Sequence, residues 1–292
     1  MDSAASSSEG PHHQDPDWER LLFESRLGSV LVLPASSSPE TDRAVDVSMR
    51  GAKGAKALIH PEFRIFIGYD AKEDVAFQVC KQSILKHASV PVHIVPIKQK
   101  DLRDGGLYTR LRDPTESTEF SFTRFLTPYL AGYMGWAMFV DCDFLYTADI
   151  KQLTELIDDK YAVMCVKHDY APTSPTKMDG QIQTTYPRKN WSSMVLYNCG
   201  HPKNRILTPE LVSQESGAFL HRFQWLDDED IGNVPETWNW LVGHNKRPED
   251  GKPPKAIHYT CGGPWFKEYA QCEYAELWVA AEKVSLQREL PE

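Results

Sequence analysis

The chain has 292 residues, of which 41% are hydrophobic and 11% aromatic, enough to bury the core of one large domain. Its formal net charge of −9 argues against a nucleic-acid-binding surface, because phosphate contacts depend on clustered Lys and Arg. A nucleotide held through a metal ion remains compatible with this charge.

The length of the apolar stretches and the spacing of the cysteines predict where in the cell the protein is located. No stretch reaches the about 18 apolar residues of a membrane span, and the short run at 30–33 ends at Pro34, so we expect neither a signal peptide nor an integral membrane anchor. Six cysteines without a CxxC pair favour reduced thiols and a cytosolic protein.

Composition changes near residue 60. Residues 1–60 are rich in Ser, Pro, Ala and charge, which predicts a largely disordered N-terminal arm. Residues 61–292 are predicted to form the folded domain.

The domain opens with alternating strands and helices. FRIFIGYD is predicted as a strand, DVAFQVCKQSILKHA as a helix and VHIVPI as a second strand; 98–120 follows as a loop. FTRFLTPYLAGYM then predicts a helix ending near Gly132 or Gly135, and AMFVDCD a strand.

The pattern continues with a helix at DIKQLTELID, a strand at YAVMCVKHD, a loop at 170–190 and a strand at SMVLYN. The last third mixes helix with aromatic-rich loop before a short strand at AIHYT and a mostly helical tail from Trp265 to Glu289. Such alternation predicts a mixed or parallel sheet in a single wound domain.

Asp141-Cys142-Asp143 directly follows a buried strand. Ligands of open α/β sheets bind at the carboxyl ends of the strands, and side chains at i and i+2 of an extended chain share one face. Both carboxylates are therefore predicted to reach one Mg²⁺ or Mn²⁺, while Cys142 packs in the core.

Several separated segments together resemble one family. FRIFIGYD, SFTRFLTPYL, DCD, DEDIGN and IHYTCGGPW make residues 63–268 similar to GT-A-fold nucleotide-diphospho-sugar transferases, in particular to glycosyltransferase family 8. The resemblance implies a single α/β domain of the GT-A, Rossmann-like type over 61–292, with a mixed, mostly parallel sheet flanked by helices.

The resemblance also assigns residues to the donor. It implies that the end of the first strand holds the nucleotide base and that Arg124 contacts the diphosphate or the sugar hydroxyls. The residues implied for the base are Ile67, Gly68, Tyr69 and Asp70.

The metal set implied by the resemblance is Asp141, Asp143 and the distant His258, and the imidazole favours Mn²⁺ over Mg²⁺. The family's Asp-Gln-Asp-x-x-Asn box corresponds to DEDIGN, which makes Asp228 and Glu229 the implied catalytic residues. Glu229 stands where the family has Gln. Its extra charge could stabilise an oxocarbenium ion or act as a nucleophile, in keeping with the implied retaining chemistry.

The segment after His258 departs from the family at Gly263, where a lysine commonly contacts the leaving diphosphate. Lys267, Arg124 or a backbone nest at Gly262 and Gly263 could replace it, beside the family's Trp265. Ser192 and Ser193 occupy a stretch where the family tends to have Asn-Ser/Ala-Gly, and their hydroxyls could bond the sugar.

The predicted function is metal-dependent transfer of a sugar from a nucleoside-diphosphate-sugar, expected to be a UDP-sugar, to an acceptor hydroxyl with retention. The acceptor, whether glycan, protein or small molecule, stays open. A weakly active or inactive nucleotide-sugar-binding scaffold is the alternative that Gly263 raises.

Two other enzyme classes fit less well. A haloacid-dehalogenase-type phosphatase needs Thr or Val where Leu145 stands, and its acidic pair opens the domain. A sugar-1-phosphate nucleotidylyltransferase needs a basic Gly-rich loop after the first strand, which Gly68-Tyr69-Asp70 does not supply.

Overall fold

A computed structural model describes residues 62–112, 116–169, 188 and 190–288. The predicted N-terminal arm and most of the predicted 170–190 loop lie outside these residues. Within them, no helix has the length and apolar character needed to cross a membrane.

Six strands form the main sheet, in the order β2-β1-β3-β6-β5-β7. Every pair is parallel except the two that β6 makes, with β3 and with β5. Five strands therefore run one way and β6 runs the other, which confirms the predicted mixed, mostly parallel sheet. The strands are β1 (Phe63–Tyr69), β2 (Val92–Lys98), β3 (Trp136–Val140), β5 (Val163–Cys165), β6 (Met194–Asn198) and β7 (Ile231–Asn233).

The central strands are apolar throughout because both faces of the sheet are covered. All five residues of β3 are buried, and Met138, Phe139 and Val140 have no exposed surface. Each such side chain contributes about 1.5–3 kcal/mol through burial. This burial explains why continuous apolar runs predicted β1, β3 and β6.

A second sheet has three short strands in the order β4-β9-β8. They are β4 (Phe144–Tyr146), β8 (Trp240–Leu241) and β9 (Ala256–His258). β9 confirms the strand predicted at AIHYT. β4 begins directly after Asp143, so the tripeptide Asp141-Cys142-Asp143 is the connection between the two sheets.

The helices are α1 (Asp74–His87), α2 (Gln99–Asp104), α3 (Thr127–Leu130), α4 (Ile150–Thr154), α5 (Pro209–Gln214), α6 (Gly217–His221) and α7 (Ala275–Arg288). α1 packs against both β4 and α7. It confirms the predicted helix at DVAFQVCKQSILKHA.

Two predictions about this part of the secondary structure need correction. The predicted loop at 98–120 contains α2, whose polar sequence buries only Leu102. The helix predicted over FTRFLTPYLAGYM is a 3-10 turn, Thr123–Leu126, followed by the single turn α3, and the chain then reverses at Gly132, where φ is +64°. The tail is mostly helical, as predicted, with a 3-10 turn at Lys267–Tyr269 and an α-helix from Ala275.

Candidate metal centre

The tripeptide Asp141-Cys142-Asp143 is anchored to both sheets. The Asp141 N–H donates to the Ser193 carbonyl at 2.9 Å, next to the β3–β6 pairing, and the Tyr259 N–H donates to the Asp143 carbonyl at 3.0 Å, next to the β4–β9 pairing. Cys142 is buried, as predicted. Each aspartate is thus held by a different sheet, and both lie beyond the carboxyl end of β3.

His258, the last residue of β9, brings a nitrogen ligand to the two aspartates. Its ring stacks on Phe144, with centroids 4.3 Å apart and an interplanar angle of 18°, and its Nε2 lies 3.3 Å from Asp143 Oδ2. One ligand atom from each of Asp141, Asp143 and His258 lies within 4.8 Å of the other two. The structure therefore brings the three predicted ligands together.

Two carboxylates and one imidazole form a donor set suited to Mn²⁺ or another divalent cation that accepts nitrogen. His258 Nδ1 lies 2.9 Å from Asn239 Oδ1, on the side of the ring opposite Nε2. This contact leaves Nε2 facing Asp143, as a ligating imidazole requires. The residues present fit a divalent cation.

Arg124 neutralises part of the acidic charge. Its Nη1 lies 2.7 Å from Asp141 Oδ1 and donates to the Ser192 carbonyl at 3.0 Å, while its Nε donates to the Phe120 carbonyl at 3.2 Å. Burial raises the pKa of Asp141 to about 6, and Arg124 opposes that rise. In this geometry the guanidinium holds Asp141, and the predicted contact of Arg124 with a diphosphate stays a prediction.

The end of β1 is the predicted base site. Ile67 has no exposed surface, so its side chain packs in the core, and its predicted contact with a base stays a prediction. Gly68 is covered by the Phe120 ring, and a Cβ added there would lie 2.4 Å from that ring.

Tyr69 and Asp70 are held by neighbouring groups. The Tyr69 hydroxyl donates to Asp74 Oδ1 at 2.9 Å, and Lys98 Nζ lies 4.7 Å from the Tyr69 ring centroid. Asp70 accepts backbone N–H groups on both oxygens, from Lys72 at 2.9 Å and from Glu119 at 3.1 Å. Asp70 therefore fixes the turn after β1; base binding by these residues stays a prediction.

Ser192 and Ser193 are buried in front of β6. Ser192 Oγ lies 2.9 Å from His221 Nδ1, and Ser193 Oγ donates to the Asn190 carbonyl at 2.7 Å. Both hydroxyls already bond protein groups, so the structure gives no contact that supports their predicted role in sugar binding.

The segment after His258 is tightly packed. Gly262 has φ +124°, a conformation that favours glycine. A Cβ on Gly263 would lie 1.9 Å from Cζ3 of Trp265, so the indole ring fills the space where a lysine side chain would begin. Lys267 is exposed on a 3-10 turn, and its predicted phosphate contact stays a prediction.

The acidic box forms a 3-10 turn directly before β7. Asp228 and Glu229 are exposed, and Asp228 pairs with Arg188. The backbone carbonyl of the neighbouring Asp230 accepts from the Ala162 N–H at 2.8 Å, at the amino-terminal ends of β5 and β7. Asp141 instead follows the carboxyl end of β3. The group of possible metal ligands does not include this box, and its catalytic role stays a prediction.

Sequence reasoning missed two titratable groups near the centre, Glu73 and His168. Glu73 is 4% exposed, and its pKa is raised to about 8, first by burial and then by Asp143, Asp70 and Asp141. The pKa of His168 is lowered to about 3 by burial and by His258. His168 follows β5, and polar residues after a strand could have indicated it.

Comparisons with known proteins identify the family. No protein-family model matches the chain. The chain is 66% identical to protein CDI of Arabidopsis thaliana over 219 residues, and this alignment covers 74% of the chain and 85% of that protein. The chain belongs to the CDI family. The chain is also 24% identical to a probable glycosyl transferase Gly of Streptococcus gordonii over 176 residues. This alignment covers 55% of the chain and 24% of that relative.

Solved structures place the CDI-family fold among glycosyltransferases. The bifunctional glycosyltransferase WbbM matches with a TM-score of 0.53 and 14% identity, over 80% of this chain and 53% of WbbM. GlyE of Streptococcus pneumoniae matches with a TM-score of 0.51 and 13% identity, over 78% of this chain and 63% of GlyE. The chain thus spans about half the length of WbbM. The fold is of the GT-A type, as the resemblance implies.

Proposed function

We propose that this protein is a metal-dependent glycosyltransferase that moves a sugar from a nucleoside-diphosphate-sugar to an acceptor hydroxyl. The observation that carries the proposal is the convergence of Asp141, Asp143 and His258, within 4.8 Å of one another, at the edge where open α/β sheets bind ligands. Mn²⁺ is the proposed cation and a UDP-sugar the proposed donor.

Breaking the bond between the anomeric carbon and the diphosphate oxygen leaves negative charge on the departing diphosphate. A divalent cation supplies Lewis-acid stabilisation of that charge, worth several kcal/mol. Asp141 and Asp143 would hold it through oxygen and His258 through Nε2. Arg124, 2.7 Å from Asp141 Oδ1, keeps that carboxylate oriented and limits repulsion between the two aspartates.

Phosphate binding must differ from the family pattern, since Gly263 has no side chain and Trp265 occupies the space beside it. The Gly262 N–H already donates to the Tyr259 carbonyl at 2.8 Å. We propose that the cation carries most of the phosphate charge and that other backbone N–H groups of this segment assist it. The roles of Asp228 and Glu229, the retaining outcome and the cytosolic location stay predictions.

Nucleotide release tests the proposal. The full chain is incubated with a panel of nucleotide sugars and MnCl₂, with released nucleoside diphosphate and the anomeric configuration of the product followed by NMR. We expect release that EDTA abolishes. Asp143→Asn should lower Mn²⁺-dependent release by at least the roughly 10–100-fold typical of weakened metal sites, whereas Asp158→Asn, on an exposed carboxylate, should not.

A nucleotide-sugar-binding module is the second candidate, favoured by the missing lysine at Gly263. It predicts that Mn²⁺ and a nucleoside diphosphate together raise the melting temperature while no nucleotide sugar is consumed. Full release activity in Asp143→Asn would refute the metal-dependent mechanism.

A further inference from the structure

A chain of buried hydrogen bonds runs from the backbone before β6 to the ring of His258. The Asn190 carbonyl can only accept, so the Ser193 hydroxyl donates to it at 2.7 Å. Ser193 Oγ in turn accepts from Asn239 Nδ2 at 2.8 Å. The other end of that amide, Asn239 Oδ1, then faces His258 Nδ1 at 2.9 Å.

The direction of this chain fixes the tautomer of His258. Because Asn239 Oδ1 carries no hydrogen, His258 must donate from Nδ1. The lone pair of a neutral ring then lies on Nε2, 3.3 Å from Asp143 Oδ2. Two acceptors this close repel unless a cation or a proton lies between them, so the chain prepares the ring for ligation.

Because Asn239 and His258 are both buried, water cannot replace the hydrogen bond between them. Asn239 is 0% exposed and His258 2%. Without the Asn239 amide, the Nδ1–H would lose its buried acceptor, which is unfavourable. The ring would then favour the tautomer with its proton on Nε2, where it would bond Asp143 and exclude a metal ion.

Ser193 connects this chain to the other sheet. Its carbonyl accepts the Asp141 N–H at 2.9 Å, while its hydroxyl supports Asn239. One residue therefore helps to set the position of a carboxylate ligand and, through Asn239, of the imidazole ligand.

From this geometry we propose that Asn239 and Ser193 are positioning residues that hold His258 in the tautomer and orientation for metal ligation. The proposal rests on the metal site of the proposed function. It also gives Ser193 a different role from the sugar contact predicted from the sequence, because its only hydrogen is donated to Asn190.

Mn²⁺ binding to the full chain tests the proposal without any turnover. Free MnCl₂ is measured by electron paramagnetic resonance at fixed pH. We expect Asn239→Ala to raise the Kd by about 10–100-fold, and Ser193→Ala to raise it less. Asn239→Asp keeps an acceptor for His258 Nδ1 but loses the N–H that Ser193 Oγ accepts, so it should recover part of the affinity lost in Asn239→Ala.

Two further variants separate positioning from general damage. In a His258→Ala background, Asn239→Ala should change the Kd by less than about twofold, because the residue it acts through is gone. Asn204→Ala is the matched control: Asn204 is also 0% exposed and bonds Ala162, Asn198 and Trp225, so its loss should destabilise the fold and leave the Kd unchanged.

Wild-type Mn²⁺ affinity in Asn239→Ala, or an equal loss in the His258→Ala background, would overturn the proposal. If Asn239→Ala does not fold, the Kd values of Ser193→Ala and Asn239→Asp, each compared with that of the wild type, test the proposal instead. Mn²⁺ binding without sugar transfer would refute the proposed function and leave the positioning role intact, whereas no Mn²⁺ binding by the wild type would refute both.

Discussion

Glu73 makes the stability of the protein depend on pH in a direction opposite to that of most carboxyl groups. Its pKa is raised from 4.5 to about 8, first by burial and then by the charges of Asp143, Asp70 and Asp141. Between these two pH values the folded state keeps a proton that the unfolded chain has released. Stability therefore falls as pH rises, and the cost is complete only above pH 8.

The magnitude follows from proton linkage. One extra proton bound by the folded state lowers the free energy of unfolding by about 1.4 kcal/mol per pH unit. From pH 5 to pH 8 this amounts to about 4 kcal/mol. Glu73→Gln keeps the shape of the protonated side chain and cannot ionise, so this variant should lack that part of the slope.

Urea unfolding, followed by tryptophan fluorescence at pH 5, 6, 7 and 8, measures the effect. EDTA is present throughout, because a cation beside Asp143 would favour the ionised form of Glu73. Ser83→Ala, a buried substitution that cannot titrate, is the control and should shift the curve without changing its slope. If the free energy of unfolding changed with pH equally in the wild type and in Glu73→Gln, the reasoning would be refuted.

Two further variants test the surroundings of the metal ligands. Gly263→Ala would place a methyl group 1.9 Å from the Trp265 ring, so we expect a loss of about 1–3 kcal/mol and a changed near-UV circular dichroism spectrum; an unchanged spectrum would contradict the packing described. Arg124→Met leaves Asp141 as an uncompensated buried carboxylate, which should cost about 3–5 kcal/mol in EDTA. Mn²⁺ should then raise the melting temperature of this variant more than that of the wild type. An equal rise would refute the assignment of Arg124 as the group that compensates the charge of Asp141.

Features that depend on a long local pattern could be predicted from the sequence. The apolar runs of β1, β3 and β6 and the helical spacing of α1 gave correct elements because their burial is continuous. β4 and β7 have only three residues each and are not predicted as separate strands, although β9, which is equally short, is. α2 buries one side chain and so leaves no apolar stripe to recognise.

The metal ligands could be predicted because the resemblance matched both DCD and the distant His258. The contacts that orient them could not. Asn239 meets His258 only after β8 and β9 pair in parallel, and its sequence context, Trp-Asn-Trp, indicates packing alone. Asp228 and Glu229 also match a motif of the family, and they lie on a 3-10 turn directly before β7; their role stays a prediction.

The position of the tripeptide between two sheets has a consequence for internal motion. Asp141 is tied to the main sheet, while Asp143 and His258 are tied to the small one. An ion bound by all three ligands would stabilise the protein against local unfolding that separates the two sheets. This stabilisation would increase with the concentration of the ion. Amide hydrogen exchange should then slow in β4 and β9 as Mn²⁺ is added, while β2, at the far edge of the main sheet, exchanges at an unchanged rate.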